Sequence, residues 1–134
     1  MKTSKSDRQL KDGIQNGNGT KSYTDESEYT GKFKNGLPNG KGISTWSNGQ
    51  KYTGQWKDAL PNGDGTAIFP DGAKYTGKFK DGQKNGQGIM TYPDGSKYDG
   101  QFKDNEAHGK GTLYDSSGKV YQKGTFQNGE YIDE

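Results

Sequence analysis

An all-β fold, an elongated single-layer antiparallel β-meander of repeated hairpins, is what three features of the sequence predict. The first is a fixed period: sliding the chain by twenty-three residues superposes Tyr29, Tyr52, Tyr75 and Tyr98, and recurrence at such a spacing signals a repeat architecture rather than one globular core. The second is the content of each period, two strand-like runs of about six residues, Tyr-x-Gly-x-(Phe/Trp)-Lys and Gly-x-Gly-x-x-x-aromatic, separated by turn residues. The third is the brevity of the connections, which are too short for crossovers and so force successive runs to pair antiparallel.

Taken in order, residues 1–5 read as a flexible terminus and 6–28 as a degenerate capping repeat, in which Leu10, Gly13, Gly17 and Gly19 stand one period before Phe33, Gly36, Gly40 and Gly42. Four full repeats occupy 29–120. Residues 121–134 form a partial repeat and tail, where Tyr121-Gln122-Lys123-Gly124-Thr125-Phe126 restates the opening with one residue inserted between Tyr and Gly. Worn end units are expected of an array whose terminal repeats have a neighbour on one side only. Two departures stand inside the array. Ala59 and Asn105 replace Gly36 and Gly82, so their loops are expected to differ in shape, and Asp115 stands where Trp46, Phe69 and Tyr92 stand, so the register is expected to break near residue 115.

The turns decide the faces. Pro70-Asp71-Gly72 and Pro93-Asp94-Gly95, and by analogy Ser47-Asn48-Gly49, suit a type I turn with a left-handed glycine as bulge. That three-residue loop pairs Phe69 with Ala73, Ala67 with Tyr75, Gly65 with Gly77 and Gly63 with Phe79. One face then collects the rings over a floor of glycines, and a side chain at Gly54 or Gly65 would occupy space that a ring needs. A two-residue turn would scatter the rings over both faces, because a one-residue slip inverts every side chain. The opposite face receives Lys32, Lys34, Lys51, Lys57, Lys74, Lys78, Lys80, Lys97 and Lys103, with Thr30, Thr53 and Thr76 between them. Lys51, Lys74 and Lys97 form a ladder of one rung per repeat, and both ends of the sheet are open edges able to self-associate.

Composition alone points elsewhere. Leu, Ile, Val and Phe number fifteen among 134 residues, a share usually read as disorder. The net charge of only +2 and the periodicity of the sixteen aromatics oppose that reading. With no cysteine, neither a disulfide framework nor a Cys-based metal site is available. No apolar run approaches the ~20 residues needed to span a bilayer, and the start MKTSKSDRQLKDG lacks an apolar signal segment. A cytoplasmic chain, peripheral at a membrane or a cytoskeletal structure, is the expectation.

Little suggests catalysis. His108 is the one histidine, in a position read as a loop and held by Asn39, Asn62 and Asn85 in the other copies. The acids recur as turn residues, unlike a tuned catalytic pair. Gly40-Lys41-Gly42 and Gly109-Lys110-Gly111 lack the strand-to-helix context of a phosphate loop. No enzyme, cofactor or metal is expected.

The frame Tyr29-Thr30-Gly31-Lys32-Phe33 with Gly36, Gly40 and Gly42, recurring from Tyr52, Tyr75 and Tyr98, resembles the MORN (membrane occupation and recognition nexus) repeat family, and the likeness covers about three quarters of the chain at full strength. The resemblance implies a non-catalytic interaction scaffold that binds an unidentified protein partner. Contact would run along the aromatic groove face, with Tyr29, Phe33, Trp46, Tyr52, Trp56, Phe69, Tyr75, Phe79, Tyr92, Tyr98 and Phe102 as candidates, or at the sheet edges. The alternative is peripheral binding of anionic phospholipid through the lysine face, against the simpler reading of that face as a solvated one. A carbohydrate-binding module is a third reading, and nucleic acid is disfavoured by the small basic excess.

Overall fold

A computed structural model describes residues 10–11, 14–24 and 26–133. Residues 1–5, assigned above to a flexible terminus, and Gly13 of the degenerate repeat lie outside the described residues. The described residues form thirteen strands: β1 Leu10–Lys11, β2 Ile14–Gln15, β3 Gly17–Ser22, β4 Glu28–Lys34, β5 Leu37–Thr45, β6 Lys51–Lys57, β7 Leu60–Ile68, β8 Lys74–Lys80, β9 Gln83–Thr91, β10 Lys97–Lys103, β11 Glu106–Tyr114, β12 Val120–Gln127 and β13 Glu130–Asp133. Strands β1 and β2 pair with each other, and β3 to β13 make one antiparallel sheet in which spatial order follows chain order. The all-β meander expected from the repeat is the fold. The full-length repeats have strands of seven and nine residues rather than six, because the second strand begins directly after its turn and carries a bulge.

Two kinds of turn alternate. The loop after each long strand is the three-residue one: Phe69 N–H donates to the Ala73 carbonyl at 2.9 Å and Gly72 N–H to the Phe69 carbonyl at 2.9 Å, with Gly72 left-handed at φ +96°. Asp71 Oδ1 accepts from Ala73 N–H at 2.9 Å and closes the loop. The same pattern recurs with Trp46 and Gln50, Tyr92 and Ser96, and Asp115 and Lys119. The turn after each short strand is a two-residue hairpin turn with both φ angles positive, the form that matches strand twist. Its residues are Asn35 (+53°) and Gly36 (+83°), then Asp58 (+49°) and Ala59 (+74°), Asp81 (+50°) and Gly82 (+86°), and Asp104 (+51°) and Asn105 (+76°). The loops at Ala59 and Asn105 therefore keep the shape of the glycine-bearing ones, contrary to the sequence expectation. The closing strand pairs Lys57 with Leu60 and Lys103 with Glu106 hold the geometry, and the non-glycine residues adopt the strained angle.

The resulting register places glycines in line. Gly19, Gly31, Gly42, Gly54, Gly65, Gly77, Gly88, Gly100, Gly111 and Gly124 are successive cross-strand partners from β3 to β12. Over this floor lie the rings. A Cβ at Gly65 or Gly88 would collide with the ring of Tyr52 or Tyr75, and one at Gly54 would come within 2.5 Å of the Asp64 carbonyl. Glycine weakens a strand elsewhere; here only its bare Cα admits the ring and the neighbouring backbone.

Beyond the glycine row each hairpin carries a bulge. Pairing jumps from Gly31↔Gly42 to Phe33↔Pro38, and likewise at Gly54, Gly77 and Gly100, so Lys32, Gln55, Lys78 and Gln101 lack partners on the long strand. Their carbonyls are taken by tyrosines: Tyr29 Oη donates to Lys32, Tyr52 to Gln55 and Tyr75 to Lys78, each at 2.8 Å, and Tyr98 to Gln101 at 2.9 Å. One residue type thus supplies both the packing body and the missing donor.

Ten rings form one unbroken edge-to-face series, Phe33, Tyr29, Trp56, Tyr52, Phe79, Tyr75, Phe102, Tyr98, Phe126 and Tyr131, with centroids 4.9 to 5.4 Å apart. Each contact adds roughly 0.5–1.5 kcal/mol beyond area burial. This explains how a chain poor in aliphatics holds a sheet. At the C-terminal end the register shifts between Leu113 and Tyr114, which pair with Gln122 and Val120. The expected break near residue 115 is thus one bulged residue, Tyr121, which stands 67% exposed while Gly124 and Phe126 rejoin the pattern.

Candidate functional site

The two faces of the sheet present different chemistry. On the aromatic face the structure brings together all the nominated rings and divides them into two sets. Tyr29, Phe33, Tyr52, Trp56, Tyr75, Phe79, Tyr98 and Phe102 are buried, Tyr75 completely. They are core, so a partner in the groove can touch no more than their edges, as at Trp56. Burial pushes the hydroxyls of Tyr29, Tyr52, Tyr75 and Tyr98 up to about 12, against the lowering effect of their carbonyl bonds. The rings that solvent reaches are those at the loop margin: Trp46 and Phe69 are half-buried and Tyr92 is 38% exposed. They recur once every two strands, ~10 Å apart.

Between that margin and the two-residue turns runs a shallow groove. One hollow of about 370 Å³ is bounded by Trp46 on the loop side and by Pro38, Trp56 and Ala59 on the turn side. A second, of about 390 Å³, lies among Phe69, Ala73, Met90 and Lys84. Lys84 was not among the residues nominated from the sequence. It occupies the position held by Pro38 and Pro61 in the preceding repeats, and its Nζ lies 5.4 Å from the centre of the Phe69 ring and 5.9 Å from that of Tyr75. Desolvation holds its ammonium below the usual lysine range. A lysine in a slot filled by Pro38, Pro61 and Ala107 in the other full repeats was the sequence signal that would have found it.

The opposite face carries the nominated lysines. Lys51, Lys74 and Lys97 lie in one cross-strand row, alternating with Thr45, Ile68, Thr91 and Tyr114. Lys32, Lys57, Lys78, Lys80 and Lys103 share that face, since Phe33, Trp56, Phe79 and Phe102 point the other way. Lys41 and Lys110 also belong to it. Among the described residues only Lys78 and Asp64 form an ion pair, at 2.9 Å and well exposed, a kind of contact that contributes little. The face is less uniformly polar than the sequence reading held: Leu37, Ile43, Leu60, Ile68 and Ile89 all stand on it exposed, because a single-layer sheet has nothing to cover its second side.

His108 lies in β11 rather than in a loop, in a hollow with Lys80, Asn85, Lys103 and Asp104, and no cluster of three or more His, Cys, Asp or Glu side chains occurs among the described residues. No helix among them is long and apolar enough to cross a membrane.

A family model for the MORN repeat matches residues 9–28, 29–51, 52–74, 75–97 and 98–120. A search of curated proteins finds no match.

Proposed function

The chain belongs to the MORN repeat family, whose repeats often bind membranes or proteins and are in general non-catalytic, and from that premise we propose that it is a scaffold that takes a partner protein in the aromatic groove. One observation carries this reading: the rings divide into a buried row and an accessible margin, so that Trp46, Phe69 and Tyr92 leave apolar surface open beside a packed floor. Accessible aromatic anchors beside a preorganised surface are what concentrate binding energy at protein interfaces. Repetition extends the site along the sheet, so a bound segment meets similar hollows in succession. The test is affinity capture with the intact chain and with Trp46→Ala, Phe69→Ala and Tyr92→Ala variants shown to be folded. Loss of captured partners in these variants is expected, and retention of every partner by all three overturns the reading.

A second reading rests on the opposite face, where exposed aliphatic side chains interleave with lysines. Each lysine near an anionic bilayer contributes about 1 kcal/mol, and Ile43, Ile68 and Ile89 offer apolar contact beside them. Flotation with neutral and anionic liposomes at low and high salt distinguishes the two. Binding confined to anionic lipid, and lost both in salt and in a Lys51→Gln, Lys74→Gln, Lys97→Gln variant, favours the membrane.

A further inference from the structure

Lys84 breaks the chemistry of the groove in the third repeat. Its position is Pro38 in the first full repeat, Pro61 in the second and Ala107 in the fourth, each facing the ring of Phe33, Trp56 or Phe102. In the third repeat a half-buried ammonium is set between Phe69 and Tyr75 beside Met90. No carboxylate lies within ion-pair distance of its Nζ among the described residues. Asp71 lines the same hollow, but it stands exposed at the loop apex with its Oδ1 bonded to the Ala73 N–H. The substitution is also supported from beneath. A lysine, unlike proline, has a backbone N–H, and Asn105 Oδ1 accepts it at 2.8 Å while Asn105 N–H donates to the Lys84 carbonyl at 3.0 Å. The turns facing Pro38 and Pro61 carry Ala59 and Gly82, which return only the carbonyl bond.

A cation taken partly out of water, flanked by rings and left without an anion, is unfavourable by itself. It becomes favourable when a ligand brings the anion. We propose that the groove selects an acidic, apolar segment of a partner protein. An Asp or Glu carboxylate of that segment is set against Lys84 Nζ, and a neighbouring aliphatic or aromatic side chain lies in the hollow between Phe69 and Met90. The proposal rests on the groove reading given above and adds the partner's chemistry and its register. Lys84 fixes which residue of an extended ligand sits at the third repeat, since the hollow bounded by Trp46 has no lysine in its lining. Opposite charges across an interface discriminate between partners more than they add affinity, so Lys84 is a specificity-determining residue of an otherwise repetitive groove.

The test uses the intact chain and a random linear-peptide display library. Selected peptides are synthesised, and their affinities measured by fluorescence anisotropy for the unaltered chain, Lys84→Met, Lys84→Arg and Phe69→Ala, each shown to unfold cooperatively. Peptides enriched in a single Asp or Glu beside an apolar residue are expected. They should weaken about tenfold with Lys84→Met, and by a similar factor when the peptide's acid is changed to its amide, while Lys84→Arg keeps most of the affinity. Should Lys84→Met fail to fold, the amide peptide carries the same test on the unaltered chain. Peptides that require Phe69 yet show no acidic bias, or that bind Lys84→Met equally well, overturn the inference and leave the groove reading intact. If no selected peptide depends on Phe69, the groove reading itself fails and the inference goes with it.

Discussion

Asn105 holds Lys84 by both of its backbone groups, accepting from the N–H through Oδ1 at 2.8 Å and donating its own N–H to the carbonyl at 3.0 Å. Two departures from the repeat, twenty-one residues apart, are therefore one structural unit. A double-mutant cycle with Lys84→Pro and Asn105→Gly tests the coupling. Proline removes the donor that Asn105 serves, so Asn105→Gly should cost about 1 kcal/mol more in the unaltered chain than in the Lys84→Pro background. Urea denaturation of the four proteins measures the difference, and strict additivity would show that the two positions act separately.

The glycine row predicts a sharp contrast between glycines. Gly65→Ala places a methyl where the Tyr52 ring lies, a ring held in place by its bond to the Gln55 carbonyl and by Trp56 and Phe79. Its cost should reach about 3 kcal/mol, the upper range for overpacking. Gly72→Ala meets nothing within 4 Å and opposes only a left-handed φ of +96°, so about 1–2 kcal/mol is expected. Denaturant midpoints of the two variants decide it: equal losses would mean that conformation, not the ring, explains the row.

How much of this was legible in the sequence follows from which residues repeat. The Phe69 to Ala73 loop, the pairing of Gly65 with Gly77 and the gathering of the rings on one side all follow from Pro70-Asp71-Gly72 and the alternation of strand side chains, because turn length fixes register. What periodicity could not give was the depth of each ring. Tyr75 and Tyr92 point to the same face, yet one is sealed and the other open, since only the first lies over the glycine row with rings on both sides. Lys84 escaped notice for the opposite reason: a repeat frame directs attention to what recurs, while Lys84 departs from it and is bonded to the departure at Asn105. The shape of the turns at Ala59 and Asn105 was misjudged because strand pairing overrides the local preference for glycine.

Alkali should unfold the sheet through its tyrosines. Tyr29, Tyr52, Tyr75 and Tyr98 are raised from 10.0 to about 12 in the folded chain. The unfolded chain therefore ionises first as pH rises. The folded state keeps its full advantage below pH 10, the unfolded value, and loses it progressively between about 10 and 12. Tyrosinate absorbance and circular dichroism followed together should change in one cooperative step within that window. Stepwise ionisation of these rings with the fold intact would contradict the buried hydroxyl bonds. Tyr75→Phe, which leaves the Lys78 carbonyl without its donor, should cost about 1–2 kcal/mol at neutral pH and make the alkaline loss shallower.

Ala59 offers a gain rather than a loss. It holds φ +74° in a turn whose counterparts are Gly36 at +83° and Gly82 at +86°, and a left-handed alanine costs roughly 1–2 kcal/mol that glycine does not. Its methyl lines the hollow between Trp46 and Trp56 and is only half-buried, so little apolar contact is lost on removing it. Ala59→Gly should therefore stabilise the chain by about 1 kcal/mol, read as a higher urea midpoint with an unchanged slope. A fall in the midpoint would mean that the methyl's packing against the tryptophans outweighs the strain. A rise would mark Ala59 as strain retained at the wall of the groove, in the hollow where a partner would lie.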